Sequence, residues 1–145
     1  YELAGSEKPD AVLHAMAVLD YVPERAEPGK TPSGRESWVI RLVPTPKVIR
    51  LIKGWAPEAY LVEFKLEAGL TEERLRAAAL ESLKANGADL VVANDLMQIT
   101  AEAHPALIIA SDGSVISRPA TKAEIARDLC DVLAEALGSS DTVLM

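Results

Sequence analysis

The sequence predicts a three-layer α/β domain built around a mostly parallel sheet, on three observations. Short apolar runs that do not alternate, such as Ala11-Val12-Leu13-His14-Ala15-Met16-Ala17-Val18-Leu19, suit strands buried on both faces. A helix-periodic segment at 71–86 lies between two further runs, 59–64 and 88–93, which is the βαβ arrangement of parallel sheets. Polar residues stand where the runs stop: Asp20 after the first, Lys65 and Glu67 after the second, Asn94-Asp95 after the third. Ligands of open α/β sheets bind outside such carboxyl ends. Asp20 is therefore placed for chemistry, and equally placed to open a turn before Val22-Pro23.

The 145 residues are enough for one domain with a substantial core. With 49% hydrophobic and 26% charged residues, the composition is that of an ordinary soluble protein. A net charge of −7 argues against a general nucleic-acid or membrane-surface binder. No stretch approaches the roughly 20 apolar residues of a membrane span. No signal peptide is visible, and the opening Tyr1, in place of Met, leaves the natural start open. The single Cys130 excludes an internal disulfide and a cysteine metal cluster. The two histidines, His14 and His104, are far apart, so no resident metal site is predicted.

In chain order, residues 1–8 are too short to form an element of their own. His14, deep in the first apolar run, reads as a core or edge histidine rather than a catalyst. Residues 24–36 hold prolines, glycines and serines without apolar period and form a loop carrying Lys30. A lysine there is either solvated or a phosphate-seeking cation on a mobile arm. The β-branched run 38–43 predicts a strand. Thr45-Pro46 predicts a helix start, with Thr45 as N-cap and Val48, Ile49, Ile52 and Trp55 on the apolar side. Gly54 and Pro57 end that helix.

Thr71 caps the next helix, whose stripe is Leu75, Ala78, Ala79 and Leu83 and whose stop is Asn86-Gly87. Residues 106–117 read as a hairpin turned at Asp112-Gly113. Thr121 and Glu124 form a capping box for the last helix, with Ile125, Leu129, Val132 or Leu133, and Leu137 buried. Cys130 beside that stripe is taken as a small core residue, and residues 139–145 as a frayed tail.

These pieces, from Pro9 to about Leu137, resemble phosphopantothenoylcysteine synthetase, the ligase of coenzyme A biosynthesis. In bacteria it is often the C-terminal half of a bifunctional flavoprotein. Met16-Ala17-Val18-Leu19-Asp20-Tyr21 is similar to the family's Ala-Ala-Val-Ser/Ala-Asp-Tyr/Phe segment, with Leu19 departing from it. Lys30 falls at the family's ten-residue spacing from the aspartate. Thr45-Pro46-Lys47-Val48-Ile49 resembles its Asn-Pro-Asp-Ile helix start, Glu63-Phe64 its Gly-Phe segment, and 88–95 its Ala-Asp-Leu-Ile-Val-Ala-Asn-Asp strand. Bacterial members carry two nucleotide-binding lysines four residues apart, at positions that are Ser82 and Asn86 here. Trp55-Ala56-Pro57 and Phe64-Lys65-Leu66-Glu67 look more like the eukaryotic, ATP-using branch, so the base stays open between CTP and ATP.

The resemblance implies a Rossmann-like or ribokinase-like domain over 1–145, with 24–44 as loop and dimerisation arm. It implies a cytoplasmic homodimer that joins 4′-phosphopantothenate to cysteine through an acyl-nucleotide, using CTP or ATP and Mg2+. A fused or associated flavin-dependent decarboxylase is a further implied partner; nucleic acid and membranes are not. Lys30 would be catalytic. Met16, Asp20, Lys30, Pro46, Lys47, Val48, Ile49 and Phe64 would bind nucleotide, and Ala17 and Asn94 would lie on the substrate side. The eight glycines never fall in a G-x-G pattern, so the family's opening strand and glycine-rich turn are not found. The chain is therefore expected to be the C-terminal two thirds of the synthetase domain and inactive alone. Two rivals are a non-catalytic dimerising nucleotide-binding fragment and a short-chain-type oxidoreductase; the latter lacks a Tyr-x-x-x-Lys pair at Tyr21 or Tyr60.

Overall fold

The computed structural model describes residues 8–26, 28–30, 33–34 and 36–138. The expectations for residues 1–7 and 139–145 lie outside the described residues. Two compact units emerge: a sheet unit holding residues up to Ala15 and from Ile49 onward, and an arm, Met16–Val48.

The sheet unit carries β1 (Ala11–His14), α1 (Ile49–Trp55), β4 (Tyr60–Glu67), α2 (Glu72–Asn86), β5 (Leu90–Asp95), β6 (Ala106–Ala110), β7 (Val115–Ser117) and α3 (Lys122–Gly138). The arm carries β2 (Tyr21–Pro23) and β3 (Leu42–Pro44). The five-stranded sheet runs β1-β4-β5-β6-β7, with β1, β4 and β5 parallel and the last two pairings antiparallel. Only β6 therefore opposes the common direction, and the mostly parallel sheet is as expected.

Burial alternates across the sheet and defines the layers. Leu61, Val91, Ala93, Leu107 and Ile109 pack with Ile49 and Ile52 of α1 and Leu75, Ala79 and Leu83 of α2. Val62, Leu90, Val92, Ala106 and Ile108 pack with Ile125 and Leu129 of α3 on the other face. Successive strand residues point to opposite faces, so a strand apolar at every position needs helices on both sides. Each large side chain fully buried in this way contributes about 1.5–3 kcal/mol.

Local signals set the element ends. Thr71 Oγ1 accepts the Arg74 N–H, and Gly87, at φ 66°, closes α2 in the left-handed conformation, its N–H donating to Leu83 O. Glu124 Oε2 accepts the Thr121 N–H at 3.2 Å while Thr121 Oγ1 accepts the Glu124 N–H at 3.2 Å, which completes the capping box of α3. The β6–β7 hairpin turns at Asp112-Gly113, as expected, with Gly113 at φ 88°.

Several expectations are corrected. The first apolar run does not form one buried strand ending at Asp20: β1 stops at His14, where the Ala15 N–H donates to Leu13 O, and Met16 and Leu19 are exposed. The strand expected at 38–43 is confined to Leu42–Pro44, which pairs with Tyr21–Pro23 instead of joining the main sheet. Thr45 does not cap α1, which begins four residues later, and Val48 is exposed. Lys65, Glu67, Asn94 and Asp95 lie inside β4 and β5 rather than beyond them, because the two strands stay in register as far as Glu67 and Asp95. Cys130 and Leu137 are exposed, because α3 buries only Ile125 and Leu129 fully. Among the described residues, no helix is long and apolar enough to cross a membrane.

Candidate functional site

The residues singled out from sequence divide between the two units. Met16, Ala17, Asp20, Lys30, Pro46, Lys47 and Val48 belong to the arm; Ile49, Phe64 and Asn94 belong to the sheet unit.

Within the arm, the β2–β3 ladder sets Tyr21 opposite Pro44 and so brings 19–20 beside 45–47. Thr45 uses two groups on this junction: its N–H donates to Asp20 O at 2.9 Å, and its hydroxyl donates to Leu19 O. Lys47 Nζ donates to Asp20 Oδ1 as an ion pair. Asp20 and Lys47 are thus in contact on the surface, their side chains 62% and 54% exposed. Pro46 and Val48 flank them and are exposed. The loop beyond β2 carries Lys30 directly after Gly29, whose φ of 84° needs a glycine. Lys30 is exposed. The arm also holds a groove of about 720 Å³ walled by Pro23, Arg25, Pro28, Trp38, Ile40 and Arg41 among others.

Within the sheet unit, Phe64 points away from Leu61 and Glu63, is 39% exposed, and offers an aromatic face in the middle of β4. Ile49 is buried in the first turn of α1. Asn94 is buried, and its Nδ2 donates to Pro105 O at 2.7 Å, tying β5 to the start of β6. Asp95 closes the carboxyl end of β5, where the sequence places a polar pair. Its Oδ1 accepts the N–H groups of Gly69 (2.8 Å) and Met97 (2.9 Å), and its Oδ2 accepts that of Leu70 (3.0 Å). These backbone donors, Gly69 first, hold its carboxyl below the ordinary carboxylate range. Asp95 therefore fixes the loop that joins β4 to α2.

A second polar cluster links α2 to β4. Ser82 and Asn86, the positions at which the resembled bacterial enzymes carry lysines, are bonded to each other and to Glu63 of β4. In the sequence, the signals are the lone acidic residue inside the apolar run 60–64 and the two positions that stand where the resembled enzymes carry lysines. At the far end of α1, Lys53 Nζ bridges Ala59 O (2.8 Å) and Asp89 Oδ2 (2.7 Å). Burial, with the Asp89 charge second, raises the pKa of the adjacent Tyr60 phenol. Among the described residues, no group of three or more His, Cys, Asp or Glu could hold a metal ion.

The class that this arrangement defines is a layered α/β domain with a β-ribbon arm bearing a surface Asp–Lys pair and a loop lysine. The DNA/pantothenate metabolism flavoprotein C-terminal domain family matches residues 3–137, and the chain belongs to it. The Coenzyme A biosynthesis bifunctional protein CoaBC of Thermococcus kodakarensis is 38% identical over 136 residues, 94% of this chain and 33% of that protein. The crystal structure of the DNA/pantothenate metabolism flavoprotein from Streptococcus pneumoniae matches with a TM-score of 0.78 at 33% identity, over 88% of this chain and 63% of that one. A Cab2 mutant in complex with phosphopantothenate-cysteine has a TM-score of 0.66 at 24% identity, covering 88% of this chain and 45% of its own, and bears on the fold alone. The chain spans about a third of the length of the curated relative that it matches.

Proposed function

We propose that the protein takes part in coenzyme A biosynthesis as a ligase that joins 4′-phosphopantothenate to cysteine at the expense of CTP or ATP. Membership of the family supports this reading, as does the identity to a bifunctional coenzyme A biosynthesis protein. The observation that carries it is the Asp20–Lys47 contact, which draws two of the segments resembling nucleotide-binding motifs into one surface.

A bare carboxylate is a poor acylating agent and must first be activated. A carboxylate oxygen of 4′-phosphopantothenate attacks the nucleotide α-phosphorus, the bond to the β-phosphate oxygen breaks, and pyrophosphate leaves. The cysteine amine then attacks the acyl carbon of the mixed anhydride. The nucleoside monophosphate departs, and the amine proton passes to solvent. Both steps develop negative charge on oxygen, which the exposed ammonium of Lys30 would offset. Asp20 would accept from the ribose or the base, with Lys47 holding its carboxylate in place. Met16 and the backbone groups of residues 46–49 would line the nucleotide, Phe64 would pack on it, and Ala17 would lie on the substrate side, with the buried Asn94 amide, bonded to Pro105 O, supporting that end of β5. Mg2+ would enter as part of the nucleotide substrate, held by phosphate oxygens and water.

The exposed apolar side chains of the arm, Trp38, Val39, Ile40 and Leu42, support its role as a homodimer contact. The relative's name, that of a bifunctional protein, supports association with a second activity, which the resemblance implies is a flavin-dependent decarboxylase. The test is mass spectrometry of the protein in its natural length with 4′-phosphopantothenate, cysteine and either CTP or ATP. The expected result is 4′-phosphopantothenoylcysteine with one pyrophosphate per product; no product with either nucleotide overturns the reading.

A further inference from the structure

One cavity of the sheet unit has no part in the reaction above. It holds about 200 Å³ and lies where the carboxyl end of β5 meets the start of β6 and the first turn of α2. Leu75 of α2, Ala93 of β5 and Leu107 of β6, all buried, give it an apolar floor. Its walls are held by the chain's own bonds. Asn94 Nδ2 donates to Pro105 O at 2.7 Å, and the Ala106 N–H donates to Pro119 O at 2.9 Å. Asp95, on the cavity wall, accepts the N–H groups of Gly69, Leu70 and Met97. The cavity is thus formed in advance of any occupant, as small-molecule sites usually are.

Its other polar side chains are Glu72, Gln98 and Arg118. Arg118 Nη2 donates to Glu72 Oε1 at 2.7 Å, an ion pair more than half exposed on both sides. That bond uses one of the five guanidinium donors and one of the two carboxylate oxygens. Among the described residues, neither side chain makes a further hydrogen bond. A donor fork beside an open carboxylate oxygen complements a molecule that carries a carboxylate and an ammonium on one carbon. Two carboxylates against one guanidinium disfavour a plain anion and favour an occupant that brings a positive charge as well. Size narrows the class further. Pockets for drug-sized ligands hold roughly 300–1,000 Å³, so a nucleotide is too large here and a small amino acid is not.

We infer that this cavity binds a zwitterionic α-amino acid with a small side chain. Its α-carboxylate meets Arg118, its α-ammonium meets Glu72 and Asp95, and its side chain rests on Leu75, Ala93 and Leu107. The inference stands on the cavity and its charges, independently of the ligase reading. The occupant is either the amino acid that the ligase consumes or one that binds without reacting, since the recognition chemistry is the same for both.

Calorimetric titration of the protein in its natural length with L-alanine, L-cysteine, propionate and ethylamine tests it. Both amino acids should bind. Propionate and ethylamine each lack one charged hydrogen-bonding group and should bind about tenfold more weakly or worse. Arg118→Ala and Glu72→Gln should each weaken L-alanine by a similar factor, and both should fold, because an exposed ion pair contributes little to stability. Should one variant fail to fold by circular dichroism, the other carries the test. Propionate or ethylamine binding as tightly as L-alanine, or unchanged L-alanine affinity in a folded variant, overturns the inference. Absence of binding by both amino acids overturns it equally, and leaves the ligase reading standing. Competition of L-alanine against L-cysteine in the ligase assay assigns the cavity to the reacting amino acid, and L-alanine binding without competition assigns it to a non-reacting one; both uphold the site.

Discussion

Asp20→Asn separates a functional aspartate from a turn residue, because the two roles predict effects of different size in different assays. The Asp20–Lys47 pair is more than half exposed on both sides, so solvent screens it and it contributes about 0–1 kcal/mol to stability. Asparagine keeps the size of the side chain and one oxygen to accept from Lys47. The fall in melting temperature should therefore stay below about 4 °C in a chain of this length. A carboxylate that accepts hydrogen bonds from a bound nucleotide is a different case. Removing its charge costs about 1.5–3 kcal/mol of binding, or a roughly 10- to 100-fold loss of affinity. Thermal melts followed by circular dichroism, with calorimetric titration of CTP and ATP, measure both quantities on one sample. Unchanged affinity in a folded variant would make Asp20 a turn residue. A large loss of stability would mean that the pair holds the arm together.

Lys30→Ala should leave the melting curve unaltered, since the side chain is exposed on a loop, and should lower ligase turnover by about 100-fold, as loss of one transition-state charge partner does; equal turnover in a steady-state pyrophosphate assay would return Lys30 to the solvated surface. Asp95 has a carboxyl held below its ordinary range in the folded state, so the stability it contributes is fully present above the unfolded value near 3.8 and is lost as pH falls through the lower folded value. Asp95→Asn should accordingly be less stable at neutral pH and lose less of its stability on acidification below about pH 4, where the parent aspartate protonates. Parallel pH profiles of parent and variant by chemical denaturation would contradict that assignment.

The parts of the fold legible in the sequence were those set by contacts a few residues apart. The caps of α2 and α3 are closed by Thr71, Gly87, Thr121 and Glu124, each within four residues of its partner. The two-sided burial of β5 and β6 shows in their unbroken apolar runs. Distant partners decide what was misread. Residues 15–19 have the composition of a buried strand but no ladder to pair with, and composition alone does not distinguish the two. Thr45 has the residue type of an N-cap, yet its hydroxyl goes to Leu19 O, 26 positions away, and the helix starts later. Lys65 and Glu67 look like the end of a strand but remain within it as an ion pair at 2.9 Å. Asp20 and Lys47, both in segments singled out by motif, are in contact. Asp95 and Glu63 were named only by position, and what they bond was not legible because those partners lie on other elements, 23 to 26 positions away.

The central claim is a ligase that proceeds through an acyl-nucleotide, and the nucleotide product tests it most directly. With the protein in its natural length, 4′-phosphopantothenate, cysteine and the preferred triphosphate, each mole of 4′-phosphopantothenoylcysteine should appear with one mole of nucleoside monophosphate and one of pyrophosphate. Formation of nucleoside diphosphate and inorganic phosphate would mean activation through an acyl-phosphate instead. Absence of the condensed product with both CTP and ATP would contradict the assignment altogether.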